Sequence, residues 1–300
     1  MDHIKLSYII TTRNKLPYLK ETLSRLVANR KDDEEIIIAD GASTDGTIDF
    51  LEKLFKLGKI DMYISEPDKG EAHGYNKCFF MARGELIKII TDDDIFNYPE
   101  IQKCKNFMLV NTHIDVIGSE GAKTNITKEN SFKKIEYIND HKKWLSSRKP
   151  FSFCGLSLMI RKKSLPLTGI LDTSFLRVDA EFSLRITAGK SNIAWCSNIC
   201  FIHVANQNSN TVMYSDDYYS DSIKLERIYS TKNQLYYYVI MVKQYLKNTL
   251  KTYLKKTNTN DIVNQEMILC TYANCDSWLA EQNKNTNNNF FSYDKTLLNK

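Results

Sequence analysis

The segment Glu35-Ile-Ile-Ile-Ala-Asp40, followed by Gly41-Ala-Ser-Thr-Asp-Gly46 and a helical pattern over 48–55, decides the fold. Three consecutive isoleucines in so short a run read as a strand buried on both faces. Ser43, Thr44 and Asp45 then offer helix caps. Upstream, 6–12 is a β-branched, apolar strand. Residues 15–29 carry Leu16, Leu19, Leu23 and Leu26 at helical spacing. Downstream come a strand over 60–65, a helix over 71–82 closed by Gly84, and a strand over 85–91 that runs into Asp92-Asp-Asp94. Strand and helix alternating at this rhythm predict an α/β fold with a doubly wound, mostly parallel sheet flanked by helices.

Further on the pattern loosens. Helix is expected over 101–110 and 179–188. Strands are expected over 115–118, 156–161 and 199–204, and 123–138 reads as a hairpin or an excursion over the sheet. One or two long helices fill 214–256. The Asn- and Lys-rich 258–300 is expected to be weakly ordered, apart from a short helix around 266–279. This gives an α/β body over 1–214, split near residue 96, and a helical extension with a polar tail over 215–300.

The chain has 300 residues, 42% of them hydrophobic and 26% charged, enough for a sizeable core. No apolar run approaches the ~20 residues of a spanning helix. The opening Met1-Asp-His-Ile-Lys5 lacks the pattern of a signal peptide. Seven cysteines without a Cys-x-x-Cys pair point to reduced thiols and a cytoplasmic protein. The net charge of +5 is uneven. Residues 222–256 hold eight Lys/Arg against the single acid Glu226, so that segment carries +7 and the remainder −2. A nearly neutral body argues against nucleic acid as a partner.

In open α/β sheets ligands bind beyond the carboxyl ends of the strands. Here those ends read Thr11-Thr-Arg-Asn14, Asp40 to Gly46, Glu66-Pro-Asp-Lys-Gly70 and Thr91-Asp-Asp-Asp94. There is no Gly-x-Gly-x-x-Gly and no P-loop. Three adjacent carboxylates repel one another and any phosphate, and a hard divalent cation resolves both problems. The plainer reading of the triplet is a solvated turn or helix cap.

Taken in order, these segments with Asn76-Lys77 and Ala82-Arg-Gly-Glu85 resemble glycosyltransferase family 2, of GT-A fold, over about residues 4–96 and more loosely to 209. The resemblance implies an inverting, metal-dependent hexosyltransferase that uses a nucleotide-sugar donor, commonly a UDP-sugar. It implies that Thr11, Thr12 and Asn14 wrap the nucleobase, Asp40 pairs with it, and Asp68 lies near base and ribose. Asn76 falls in the donor site, Asp92 on ribose or sugar hydroxyls, and Asp93 on Mn2+ or Mg2+. The family's usual first acid of Asp-x-Asp falls at Thr91, and Asp92 and Asp94 form a literal Asp-x-Asp. The register is therefore open by one residue, with Asp94 a further metal ligand or a helix cap.

The later stretch Leu171-Asp-Thr-Ser-Phe-Leu-Arg-Val-Asp179-Ala-Glu181-Phe-Ser-Leu-Arg185 resembles the family's base region. Asp179 aligns with the base that takes the acceptor proton, and Glu181 is the alternative. His203 is either a core histidine or a metal ligand. Arg161 and Arg185 are candidate diphosphate contacts. Trp144, Trp195 and residues 151–153 either stack on sugars or pack in the core.

On a helical wheel at ~100° per residue, Leu235, Val239, Val242, Leu246, Leu250 and Tyr253 form one stripe. Lys243, Lys247, Lys251 and Lys255 form a neighbouring face. This suits a helix lying on an anionic membrane surface, or one docked on the body with its lysines in solvent. The resemblance extends to bacterial enzymes of O-antigen, lipopolysaccharide and capsule assembly, with lipid-linked or oligosaccharide acceptors at the inner face of the plasma membrane. A non-catalytic GT-A module that recruits partners is the alternative from another class.

Overall fold

The computed structural model describes residues 3–127, 130–206, 209, 213–229, 264–284, 291–294 and 296. The isoleucine run is strand β2 (Glu34–Asp40), buried along its whole length. It pairs in parallel with β1 (Leu6–Thr12) and β3 (Met62–Ser65), and β1 pairs in parallel with β4 (Leu86–Thr91). Ile36 and Ile38 point into one core layer with Leu19, Leu23 and Leu26 of α1 (Leu16–Asn29) and Leu51 of α2 (Thr47–Lys56). Ile37 points into the other, with Ala72, Tyr75 and Phe79 of α3 (Glu71–Met81). Alternate side chains thus feed two helix layers, which is why the strand shows no polar face.

Beyond β4 the sheet changes character. Its order is β10-β9-β6-β8-β4-β1-β2-β3. Here β6 is Val116–Asn125, β8 is Met159–Arg161, β9 is Ile193–Ala205 and β10 is Phe291–Ser292. The short β5 (Ile95–Phe96) pairs with β9, and β7 (Lys133–Ile135) pairs with β6. β8 runs antiparallel between β4 and β6, while β6 and β9 are parallel. The sheet is therefore mostly parallel, in the run β3-β2-β1-β4 and the pair β6-β9, with antiparallel β8 between them. Of the two readings for 123–138, the hairpin is the one found, as the antiparallel β6–β7 pair. Between these strands lie α4 (Tyr98–Val110), α5 (Ile138–Ser147), α6 (Leu165–Thr168) and α7 (Val178–Ala188).

The expected boundary at 214 does not divide the packing. Helix α8 (Ser215–Tyr229) lines the central cleft beside α7. Helix α9 (Gln265–Lys284), longer than the short helix expected, buries Ile268, Tyr272, Cys275 and Leu279 against Tyr18 of α1 and Ile202 and Val204 of β9. β10 then joins the sheet edge. Scattered apolar residues in an Asn-rich segment hide this docking, because each helix turn supplies only one or two anchors. The lysine face at 243, 247, 251 and 255, and the apolar stripe beside it, lie outside the described residues. Among the described residues no helix is long and apolar enough to cross a membrane.

Candidate active site

The carboxyl ends of β1 and β4 meet α3, α7 and α8 around a cleft of about 650 Å³. Thr11, Thr12, Lys15, Asp68, Asp92, Asp93, Asp94, Asp179 and His203 all line it. Gly74 lets α3 come this close to β1: a Cβ there would stand 2.1 Å from the Thr11 hydroxyl oxygen. Gly41 does the same for Asp68, whose Oδ2 would lie 2.7 Å from a Cβ at that position. Asp68 Oδ1 accepts from the Gly70 N–H at 3.0 Å, which leaves Oδ2 at the cleft.

The acid triplet is the densest charge in the site. Asp92, Asp93 and Asp94 are 6%, 7% and 3% exposed. Lys15 Nζ donates to Asp93 Oδ2 at 2.5 Å and lies 3.6 Å from Asp92 Oδ1. Asn206 Nδ2 donates to the same Asp93 oxygen at 2.9 Å. Asp94 is fully engaged elsewhere. Its Oδ1 accepts from the Val204 N–H at 2.7 Å and from His203 Nδ1 at 3.0 Å, and its Oδ2 accepts from the Thr91 hydroxyl at 2.6 Å. All three acids line the cleft, and Asp94 is the one whose two oxygens both have protein donors. Asp94 acts as the carboxylate that fixes the His203 ring, which leaves Nε2 without a part in that bond.

Electrostatics show a shortage of positive charge. Burial pushes the Asp92 carboxyl up to about 7, Asp93 and Asp94 push it the same way, and Lys15 opposes them. Burial also works against charge on Asp94, but the adjacent His203 outweighs it and holds that carboxyl below its ordinary value. Asp94 in turn raises His203 to about 9. Burial opposes the Lys15 ammonium, yet Asp92 and Asp93 hold it well above its ordinary value. Three buried carboxylates facing one lysine and one histidine fit a hard divalent cation, and oxygen and imidazole donors suit Mn2+ or Mg2+. Asp92 and Asp93 are the carboxylates that such an ion would meet in the cleft, with His203 beside them, raised in pKa by Asp94.

Three expected contacts stand back from the cleft. Asp40 is 1% exposed and accepts from the Ser43 N–H at 3.0 Å, from the Ser65 hydroxyl at 2.6 Å and from the Ser43 hydroxyl. Both its oxygens brace the β2 loop. Asn14, in the left-handed region at φ 54°, accepts from the Thr44 N–H at 2.7 Å and donates its own N–H to Ser43 Oγ. It ties the β1 loop to the β2 loop. Asn76 likewise turns away: its amide donates to Leu171 O at 2.8 Å and accepts from Leu171 N–H at 2.9 Å, holding the chain that leads to α7. Helix position alone cannot reveal this, because Leu171 is 95 residues away.

Asp179 sits in the first turn of α7, lines the same cleft and is close enough to His203 to raise its pKa. It accepts from the Ala180 N–H at 2.7 Å and, longer, from the Gly155 N–H at 3.4 Å. Glu181 is 5% exposed and binds Arg185 through both oxygens, at 2.7 and 2.9 Å. Arg185 also donates to Thr168 O and Ile170 O, so it is a structural clamp rather than a cleft cation. Arg161 is 3% exposed and donates to Met108 O, Asn111 O and Ile114 O. Neither arginine is placed to meet a diphosphate. Trp195 donates to Glu120 at 2.8 Å and Trp144 to Thr187 O at 2.7 Å, both inside the core. Phe153 borders a second cavity of about 240 Å³ that reaches Asp179 and His203 past Tyr137.

Three contributors escaped sequence reading. Lys15 follows Asn14 directly at a strand end, so its position was a usable signal. Asn206 needs β9 beside β4. Asp221 of α8 is 4% exposed and accepts from Leu176 N–H at 2.6 Å and Arg177 N–H at 3.3 Å, immediately before α7. Ser222 accepts from Arg177 at 2.6 Å. Helix α8 thus fixes the approach to Asp179, a link with no local signature.

The family model for Glycosyl transferase family 2 matches residues 7–165. A putative teichuronic acid biosynthesis glycosyltransferase, TuaG of Bacillus subtilis, is 29% identical over 104 residues, which are 34% of this chain and 41% of that protein. The matched stretch spans only 38% to 41% of the first curated relatives. S. aureus TarS 1–349, solved in complex with UDP-GlcNAc, superposes with a TM-score of 0.54 at 17% identity, covering 93% of this chain and 81% of that one. A mannosyltransferase from Pyrobaculum calidifontis, solved with GDP-Man and Mn2+, gives 0.53 at 15%, covering 93% and 84%. At such identities the structural likeness speaks for the fold, which is that of GT-A glycosyltransferases.

Proposed function

Because the chain belongs to glycosyl transferase family 2, we propose that it moves a sugar from a nucleoside diphosphate, a UDP-sugar, to a hydroxyl of a saccharide acceptor with inversion at the anomeric carbon. The acceptor is a glycan carried on a polyprenyl diphosphate, in assembly of a bacterial surface polysaccharide. One observation carries this reading: a single cleft gathers a buried acid triplet around Lys15 together with Asp179, a carboxylate that meets no Lys or Arg among the described residues.

The chemistry divides along the cleft. Asp93, with Asp92 and His203, would hold a divalent ion, which when bound offsets the charge growing on the departing diphosphate. Asp94 keeps the His203 ring turned, and Lys15 keeps Asp92 and Asp93 together. Asp68 and the Thr11–Thr12 edge border the same cleft and would meet base and ribose. Asp179 takes the proton of the attacking hydroxyl. Glu181 serves Arg185 instead. Donor and acceptor aligned between these groups need little beyond that proton removal.

A UDP-sugar donor and a surface-polymer product also agree with what the relatives are named for: teichuronic acid in one, UDP-GlcNAc bound in the other. The basic segment 222–256 would then sit at an anionic membrane face, and liposome flotation at low and high salt tests it. The function itself is tested by screening nucleotide sugars for hydrolysis with Mn2+, then adding polyprenyl-diphosphate glycans. One donor is expected to be hydrolysed in a metal-dependent way, and Asp93→Ala should abolish it. Failure of every nucleotide sugar to bind or turn over overturns the reading.

A further inference from the structure

Away from the cleft, three cysteines converge in the core between α4 and the sheet. The Sγ atoms of Cys104, Cys196 and Cys200 all lie within 4.8 Å of one another, and the residues are 3%, 0% and 2% exposed. Cys104 comes from α4, the other two from β9. In a regular strand residues four apart are separated by about 13 Å. β9 is not regular here. Its pairing with β6 shifts register twice, so that Ser119 faces Cys196, Glu120 faces Ile199 and Gly121 faces Phe201. These bulges contract the strand and bring the two thiols to one point.

Two neighbours distinguish the cluster from ordinary core thiols. Lys88 of β4 is 1% exposed, and its ammonium donates to Leu156 O and Leu158 O. Among the described residues no carboxylate pairs with it. The titratable groups acting on it are Cys200, Cys104 and Cys154. A buried cation without an anion is costly. Ser119, 1% exposed, lies opposite Cys196 in the register, and its hydroxyl interacts with the Cys200 sulfur.

We propose that Cys104, Cys196 and Cys200 bind a zinc ion as thiolates, with Lys88 balancing the charge and Ser119 completing the polar wall. Three thiolates around a divalent ion carry one net negative charge, which one ammonium neutralises. A monovalent copper ion would leave a second charge buried. Soft sulfur donors suit zinc, and the Ser119 oxygen takes the fourth tetrahedral position that a structural site requires. The ion would clip α4, which follows the acid triplet, to β9 three residues before His203. This inference does not depend on the proposed activity.

The test uses the full chain, purified from zinc-supplemented medium without chelator and dialysed against metal-free buffer. About one zinc per chain should remain by mass spectrometry, as for other structural sites. Refolding with Cd2+ should give a sulfur-to-cadmium charge-transfer band in the ultraviolet. Cys104→Ser and Cys196→Ser should lose both signals, while Asp93→Ala and Cys270→Ser keep them. Because these core variants can unfold, the wild-type chain decides. A folded wild-type chain that retains no zinc and gains no cadmium band overturns the proposal, and so does a disulfide among the three thiols.

Discussion

The acid end of the cleft comes from loops within the first 94 residues plus a single strand, β9, laid across them. The Asp179 end is gathered from β7, the turn at Gly155, α7 and α8, which together span 133–229. The first is a set of adjacent parallel strands whose carboxyl ends coincide, so neighbouring motifs become neighbouring side chains. The second depends on tertiary braces: Asn76 on Leu171, Asp221 on Leu176 and Arg177, and Glu181 on Arg185. Substitutions at the acid end should therefore remove chemistry outright. Those at the other end should mostly displace Asp179.

The largest effect is expected from Asp93→Ala. A cation site supplies several kcal/mol at the transition state, so steady-state kcat should fall on the order of 10³-fold while the fold, followed by circular dichroism, is kept. An Asp93→Ala enzyme within tenfold of wild type would break the contrast between the two ends.

Next comes acid sensitivity beneath the Asp179 end. His141 is fully buried between Trp144 and Trp195, its Nε2 3.1 Å from Ile193 O and its Nδ1 without a partner. Burial lowers it from 6.5 to about 4. Between these values the unfolded chain binds the extra proton, so its contribution is intact above pH 6.5 and lost as pH falls toward 4. The loss should reach about 3 kcal/mol. Urea midpoints across that window should flatten in His141→Gln.

A smaller effect is expected at Asp221. Asp221→Ala frees the turn before α7 and should lower kcat about tenfold while leaving the donor KM unchanged, because a displaced base costs rate rather than donor binding. Asp221→Asn, still an acceptor, should recover part of it. The smallest effect belongs to Glu181→Gln, with kcat within about threefold and stability down by roughly 1–3 kcal/mol from the weakened Arg185 clamp.

Legibility in the sequence follows the same division. β1 to β4, α1 to α3 and the acid triplet could be read because periodicity and turn residues are local. Side-chain bonds within and between loops were not legible. Asp40 and Asn14 were expected at the nucleobase, yet they stitch the β1 and β2 loops together. The antiparallel insertion of β8 carries three residues and no distinctive pattern. The docking of α9 and β10 rests on a few anchors in a polar background. Asp179 was found only through its resemblance to a family motif, since a carboxylate in a first helical turn is an ordinary capping charge.

The central claim is that one cleft separates donor and metal binding from proton removal, and Asp179→Asn tests it most directly. Binding of the identified nucleotide sugar with Mn2+ should be followed by calorimetry, alongside transfer to the true acceptor. Wild-type donor affinity is expected together with turnover reduced on the order of 10²- to 10³-fold. Turnover near wild type, or donor binding lost as fully as in Asp93→Ala, would contradict it.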